Sequence, residues 1–150
     1  MSNSKYNLLF GKAAAYCSLS EHCISEVTEK LQRWDADNQL TTEIIEHLIS
    51  EKYIDEQRFA NAYARDKFRF NKWGKIKIRM LLQQKNIDNE TVNNALDCIN
   101  TEDYQNVLRQ LLNAKSKSVK SSSEYEKRAK LTRFACGRGF ELSEIEKALK

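Results

Sequence analysis

Proline is absent from the 150 residues, and glycine occurs only four times. Hairpins depend on turn residues that fix φ or tolerate positive φ, so a chain this poor in both excludes a hairpin-built sheet. Long apolar runs are missing too. The most apolar stretch near the start, NLLFGKAAAYC, is interrupted by Lys12 and is too short to insert into a bilayer or to act as a secretory signal. The expectation is therefore no membrane association and a cytoplasmic location. Cys17, Cys23, Cys98 and Cys136 show no C-x-x-C pairing, which argues against zinc and, in a reducing compartment, makes them small buried apolar residues. His22 beside Cys23 offers only two adjacent ligands, so no metal is expected. There is no glycine-rich phosphate loop, no nucleophile elbow, and no histidine set with a cysteine and an orienting acid. His47, in IIEHLI, sits on or beside a helix face without chemistry. These absences predict a protein that is not an enzyme and holds no cofactor.

What is present favours helix. Hydrophobic residues make up 41% and charged residues 31%, and lysine, glutamate, leucine and alanine, all good helix formers, are abundant. The net charge of +4 is unevenly spread. Residues 1–64 carry ten acidic and six basic side chains, a balance of −4, and residues 65–150 carry nineteen basic and eleven acidic, a balance of +8. An acidic front and a basic rear imply that the rear meets something anionic.

Apolar positions recur at helical spacing through most of the chain. Ser20 is the expected cap of a helix that places Cys23, Ile24, Val27, Leu31 and Trp34 near one face. DADNQLT breaks it, and Thr41 or Thr42 is expected to cap TEIIEHLISEKYI. Asp55, Asp88 and Thr101 are the next expected caps, with Gly74 stopping or bending the helix between the first two. The serine- and lysine-rich SKSVKSSS reads as a mobile connection, and a last short helix starts near Glu141 or is capped by Ser143. An echo joins three places: Lys52, Ile54 and Asp55; Lys85, Ile87 and Asp88; Arg138, Phe140 and Glu141. A basic residue suits a helix end, an acid suits the next helix start, and the apolar residue between pins the turn into a core. The echo predicts short units of about three helices stacked in line.

The segment DEQRFANAYARDKFRFNKWG, residues 55–74, carries the clearest signal. At about 100° per residue, Phe59, Tyr63 and Phe70 form one stripe, with Ala62 on its margin, and Phe68 points elsewhere. The aromatic stripe predicts core. Arg58, Arg65, Arg69 and Lys72 form a second stripe, with Asp66 on the border, poised to hold Arg65 or Arg69. Lys75, Lys77, Arg79 and Lys85 follow. A solvated helix usually interleaves both signs, so Arg58, Arg65, Arg69, Lys72, Lys75, Arg79 and Lys85 are the candidate partner-binding residues. Arg58, in the first helical turn, has a competing reading as a local tie to Asp55 or Glu56.

Residues Tyr53–Ile87 resemble the signature segment of the RecX family. The pattern of an apolar residue, acids, Arg-aromatic-Ala, an aromatic and Arg is met by Ile54, Asp55, Glu56, Arg58, Phe59, Ala60, Tyr63 and Arg65. Gly74, Ile78, Arg79, Leu82, Lys85 and Ile87 continue it, with Asn86 where the family has glycine. EVTEKL and KLTRFACGRGFE are similar to the family's first-repeat and last-repeat helices, so the resemblance runs from about Lys12 to Lys150. It implies an all-α protein of three tandem three-helix repeats in an elongated, curved array: residues 1–54 with the N-terminal segment, 55–99 and 100–150. It further implies a monomeric, non-enzymatic regulator acting in DNA repair, recombination and the SOS response. Such a protein binds the RecA–DNA filament and restrains its recombinase and ATPase activities, meeting DNA weakly or through the filament. A second class stays open on the residues alone: a stand-alone helical nucleic-acid binder whose basic face neutralises phosphates.

Overall fold

The computed structural model describes the backbone of residues 2–150 and the side chains from residue 4 onward. Among these it forms nine helices: α1 (Ser2–Leu19), α2 (Ile24–Arg33), α3 (Asn38–Ser50), α4 (Glu56–Asn71), α5 (Lys75–Gln84), α6 (Asn89–Asp97), α7 (Thr101–Ser116), α8 (Glu124–Gly137) and α9 (Leu142–Ala148). No strand occurs among the described residues. The helices pack in consecutive trios, α1 with α2 and α3, α4 with α5 and α6, and α7 with α8 and α9.

One turn recurs between the second and third helix of every trio. Asp35, Asn86 and Gly139 adopt positive φ at 65°, 64° and 95°, and a buried apolar residue follows each: Ala36, Ile87 and Phe140. The apolar residue's amide reaches back to Leu31, Leu82 and Ala135 at 3.0, 3.2 and 3.2 Å, so each helix ends in the same left-handed cap. The next residue, Asp37, Asp88 or Glu141, is the N-cap of the third helix. The sequence echo found two of these turns. Its first member, at Lys52, belongs instead to the link between α3 and α4. The true counterpart, Asp35-Ala36-Asp37, has no basic residue and only a small apolar one, which hid it.

Successive trios join by a repeated arrangement, in which the start of a second helix docks on the following trio. Between the first two, Glu56 accepts from the Ile24 amide at 3.0 Å and Ser25 Oγ donates to the Lys85 carbonyl at 2.9 Å. Between the second and third, the Gly74 and Ile76 amides donate to the Arg138 and Gly139 carbonyls at 2.8 and 2.9 Å. There the Lys75 amide also donates to Tyr104 Oη at 2.9 Å, and that hydroxyl donates to Glu141. Arg138 returns two guanidinium bonds to the Asn71 and Lys72 carbonyls at the end of α4. Gly74 is required here, because a Cβ on it would collide with the Gly139 carbonyl and the Phe140 amide.

The apolar interior follows the same division unequally. Phe59, Phe68, Ile78, Tyr104, Leu108 and Phe140 belong to one cluster spanning the second and third trios, with Cys23 its sole member from α1–α3. Val27, Leu31, Ile44 and Leu48 belong to a separate cluster within the first trio.

Several expected details are corrected. NLLFGKAAAYC, for which no helix was specified, lies inside α1. Cys23, not Ser20, is the N-cap of α2, with the Glu26 carboxylate accepting from its amide at 3.3 Å. Asp37, not Thr41 or Thr42, caps α3, because the left-handed turn at Asp35 ends the preceding helix there and brings Asp37 to the Leu40 amide at 2.8 Å. Asn100 caps α7, and Thr101 is its first residue. Asp55 and Asp88 cap α4 and α6 as expected. Cys98 and Cys136 are exposed rather than buried.

On α4 the aromatic assignment changes. Phe68 is buried, whereas Phe70 is 76% exposed. The helix packs on both α5 and α6, so its buried arc runs through Phe59, Ala60, Ala64 and Phe68 and covers about half the circumference. A narrow stripe was too small a footprint for a helix with two neighbours.

Candidate partner-binding surface

The basic residues fall into two groups according to what they touch. Arg58 and Lys85 are engaged within the chain. Arg58 Nε lies 2.6 Å from the Glu21 carboxylate, and its Nη2 donates to the Lys52 and Tyr53 carbonyls at 3.1 and 3.4 Å. It is a tie, as its place in the first turn allowed, but to the α1–α2 turn rather than to Asp55 or Glu56. Lys85 Nζ lies 2.9 Å from Glu26. Burial works to raise the Glu26 carboxyl, but hydrogen bonds from Lys85 and His22 outweigh it and hold the group below its ordinary range. The same bond raises Lys85. Both pairs stitch the first trio to the second.

The other group faces outward. Arg65 pairs only with its neighbour Asp66, at 3.2 Å, so Asp66 serves Arg65 and not Arg69. Arg65 and Arg69 stand one turn apart on α4 and line a shallow cavity of about 300 Å³ with Asn61, bounded by Cys98 and Asn100 from the α6–α7 turn and Asp103 from the first turn of α7. Lys72 sits at the end of α4 with φ 55°, a left-handed position that ends the helix before Gly74. Lys75 holds its ammonium 5.0 Å from the centre of the Tyr104 ring. Arg79 is half-buried on α5. No ion pair engages Arg69, Lys72 or Arg79 among the described residues.

Two features escaped the sequence reading. Lys67, which the sequence did not single out, approaches the Trp73 ring at 5.2 Å from its centre, and Lys77, noted there only as part of the following run, approaches the same ring at 4.5 Å. The junction of α4 and α5 therefore carries more cations than one helical stripe shows. Periodicity within a single helix cannot find this cluster, because its members come from both sides of the Lys72 turn. Ile76 and Met80 are 53% and 48% exposed on α5. Their helical spacing was visible, but only the packing shows that nothing covers them.

The third helices are different in charge. α3 carries Glu43 and Glu46 and no lysine or arginine, α6 carries Glu90 and Asp97 and none, and α9 carries Glu144 and Glu146 with Lys147. α5 has Lys75, Lys77 and Arg79 and no acid. Three-helix modules that read DNA insert their last helix in the groove, and an acidic last helix is repelled by phosphate. No helix among the described residues is long and apolar enough to cross a membrane.

Comparison with known proteins agrees with this architecture. Residues 55–96 match the family model described as the RecX second three-helix domain, and residues 102–149 match that of the RecX third three-helix domain. The Regulatory protein RecX of Clostridium acetobutylicum is 27% identical over 150 residues, covering 96% of this chain and 69% of that one. That of Clostridium tetani is 26% identical over 141 residues, and the chain spans 64% of its length. The Prosthecochloris aestuarii protein of the same name is 28% identical over 152 residues, with 99% and 96% covered. The crystal structure of RecX from Lactobacillus salivarius superposes with a TM-score of 0.90 at 22% identity, covering 98% of this chain and 96% of that one. With two family models matched in succession onto the second and third trios, and the same fold in the solved structure, the chain belongs to the RecX family.

Proposed function

We propose that this chain is a non-enzymatic regulatory protein that binds the RecA–DNA filament and restrains its recombinase and ATPase activities. In this reading Arg65, Arg69, Lys72, Lys75 and Arg79 meet the filament's anionic surface, whereas Arg58 and Lys85 serve the array itself. The three units, divided at about residues 54 and 99, would lie along the filament as a monomer in the cytoplasm. Membership of the family supports the regulatory role, since the matched relatives carry the name Regulatory protein RecX. The observation that carries the choice of partner is the charge distribution. Cations gather on the second half of α4 and the first half of α5, and the third helices are acidic.

That distribution disfavours the stand-alone nucleic-acid binder. A basic patch with no groove-reading helix binds DNA through phosphates alone, with dissociation constants on the order of 10⁻⁴–10⁻⁶ M at physiological salt. The test is co-sedimentation with recombinase-coated single strands and with bare single strands at the same salt. Preferential capture by the coated strand supports the regulator. Equal capture by both supports the nucleic-acid binder.

A further inference from the structure

The recurring turns place the three second helices in register, so their exposed positions can be compared. Leu31, Leu82 and Ala135 correspond, as do the buried Val27, Ile78 and Leu131. In this register Ile76 aligns with the exposed Ala129 and with Ser25, whose hydroxyl is used at the first junction, and Met80 aligns with the exposed Glu29 and Arg133. Two units of the same fold therefore carry small, polar or charged residues where α5 exposes isoleucine and methionine. The fold does not need an apolar pair there.

Ile76 and Met80 are about 40° apart around the helix, with Arg79 at their edge. α5 carries three cations and no acid. An apolar pair bordered by positive charge is poorly matched to a phosphate backbone, which offers no apolar surface to cover it. It fits a protein segment that presents apolar side chains beside carboxylates. We propose that the exposed face of α5 docks an acidic amphipathic segment of a protein partner, with apolar side chains covering Ile76 and Met80 and a carboxylate meeting Arg79. The proposal rests on the regulator reading above and assigns it a specific protein contact.

The test titrates the full chain against recombinase filaments on single-stranded DNA, and against bare single-stranded DNA. The double variant Ile76→Ser, Met80→Gln and the single variant Met80→Gln are compared with the parent, with thermal melts to confirm folding. Leu142→Ser is the control, since Leu142 is similarly exposed at 54% on another unit. The expected result is filament affinity reduced about tenfold in the double variant, less in the single variant, unchanged in the control, and bare-strand binding unchanged in all. Parent-like filament binding by the double variant overturns the docking proposal and leaves the regulator reading standing. Equal loss on bare DNA, or equal loss in the Leu142→Ser control, also overturns it. A parent that fails to bind the filament removes the regulator reading and this proposal with it.

Discussion

Gly74 and Gly11 occupy opposite situations, and the difference sets the sign of the same substitution. A Cβ at Gly74 would meet backbone atoms of Gly139 and Phe140, and backbone cannot swing aside. A Cβ at Gly11, inside α1, meets nothing within 4 Å. Gly74→Ala is expected to lower stability by roughly 1–3 kcal/mol through overpacking. Gly11→Ala is expected to raise it by roughly 0.5–1 kcal/mol through helix propensity. Chemical denaturation of both variants checks the pair. The phenylalanines of α4 make a second contrast. Phe59→Ala removes a buried ring that lies 5.8 Å from Tyr63 and is expected to cost about 3–5 kcal/mol. Phe70→Ala alters an exposed ring and is expected to stay within about ±0.5 kcal/mol. Equal losses in the two melts would contradict the burial assignment.

At the scale of the element, the caps decide where helices start and how acid loosens them. Ser122 and Lys130 hydrogen-bond the Glu126 carboxylate beside the start of α8 and hold it down at about 2, from an ordinary 4.5. A depressed folded-state value means that the contribution is complete above the ordinary glutamate range and is lost as pH falls towards 2. The first turn of α8 is expected to fray over that window, and Glu126→Gln to remove the pH-dependent part. Amide exchange at Lys127 between pH 2 and 5 reads both. The caps also show what the sequence could reveal. Asp55 and Asp88 were legible because each is an acid just after a buried isoleucine. The start of α3 was not, because Asp37, Asn38, Thr41 and Thr42 are all cap-capable, and the choice among them was made by the left-handed turn at Asp35. The basic stripe was legible as a pattern. That Arg58 and Lys85 belong to junctions was not, because Glu21 and Glu26 lie far away in the chain and meet them only once the trios stack.

For the whole molecule, the two junctions share one docking arrangement but differ in what reinforces it. The second and third trios share an apolar cluster and exchange backbone hydrogen bonds around two glycines. The first trio has its own cluster, lends only Cys23 to the shared one, and is joined by the Ile24–Glu56 and Ser25–Lys85 hydrogen bonds and by partly exposed ion pairs, which salt screens. Glu21→Gln with Glu26→Gln is expected to increase amide exchange at Ile24, whose partner Glu56 lies across that junction. Exchange at Gly74 and Ile76 is expected to stay unchanged. Units that touch mainly their neighbours build an elongated array, so solution scattering is expected to depart from the profile of a compact sphere.

The central claim is that the outward cations of α4 meet an anionic filament. Inhibition of recombinase ATPase on single-stranded DNA by the Arg65→Glu, Arg69→Glu variant tests it most directly, with a thermal melt alongside. Both side chains are exposed, so the reversal is expected to shift stability by only about ±0.5 kcal/mol. The account predicts an intact melt and weakened ATPase inhibition. A folded variant that inhibits as strongly as the parent would contradict it.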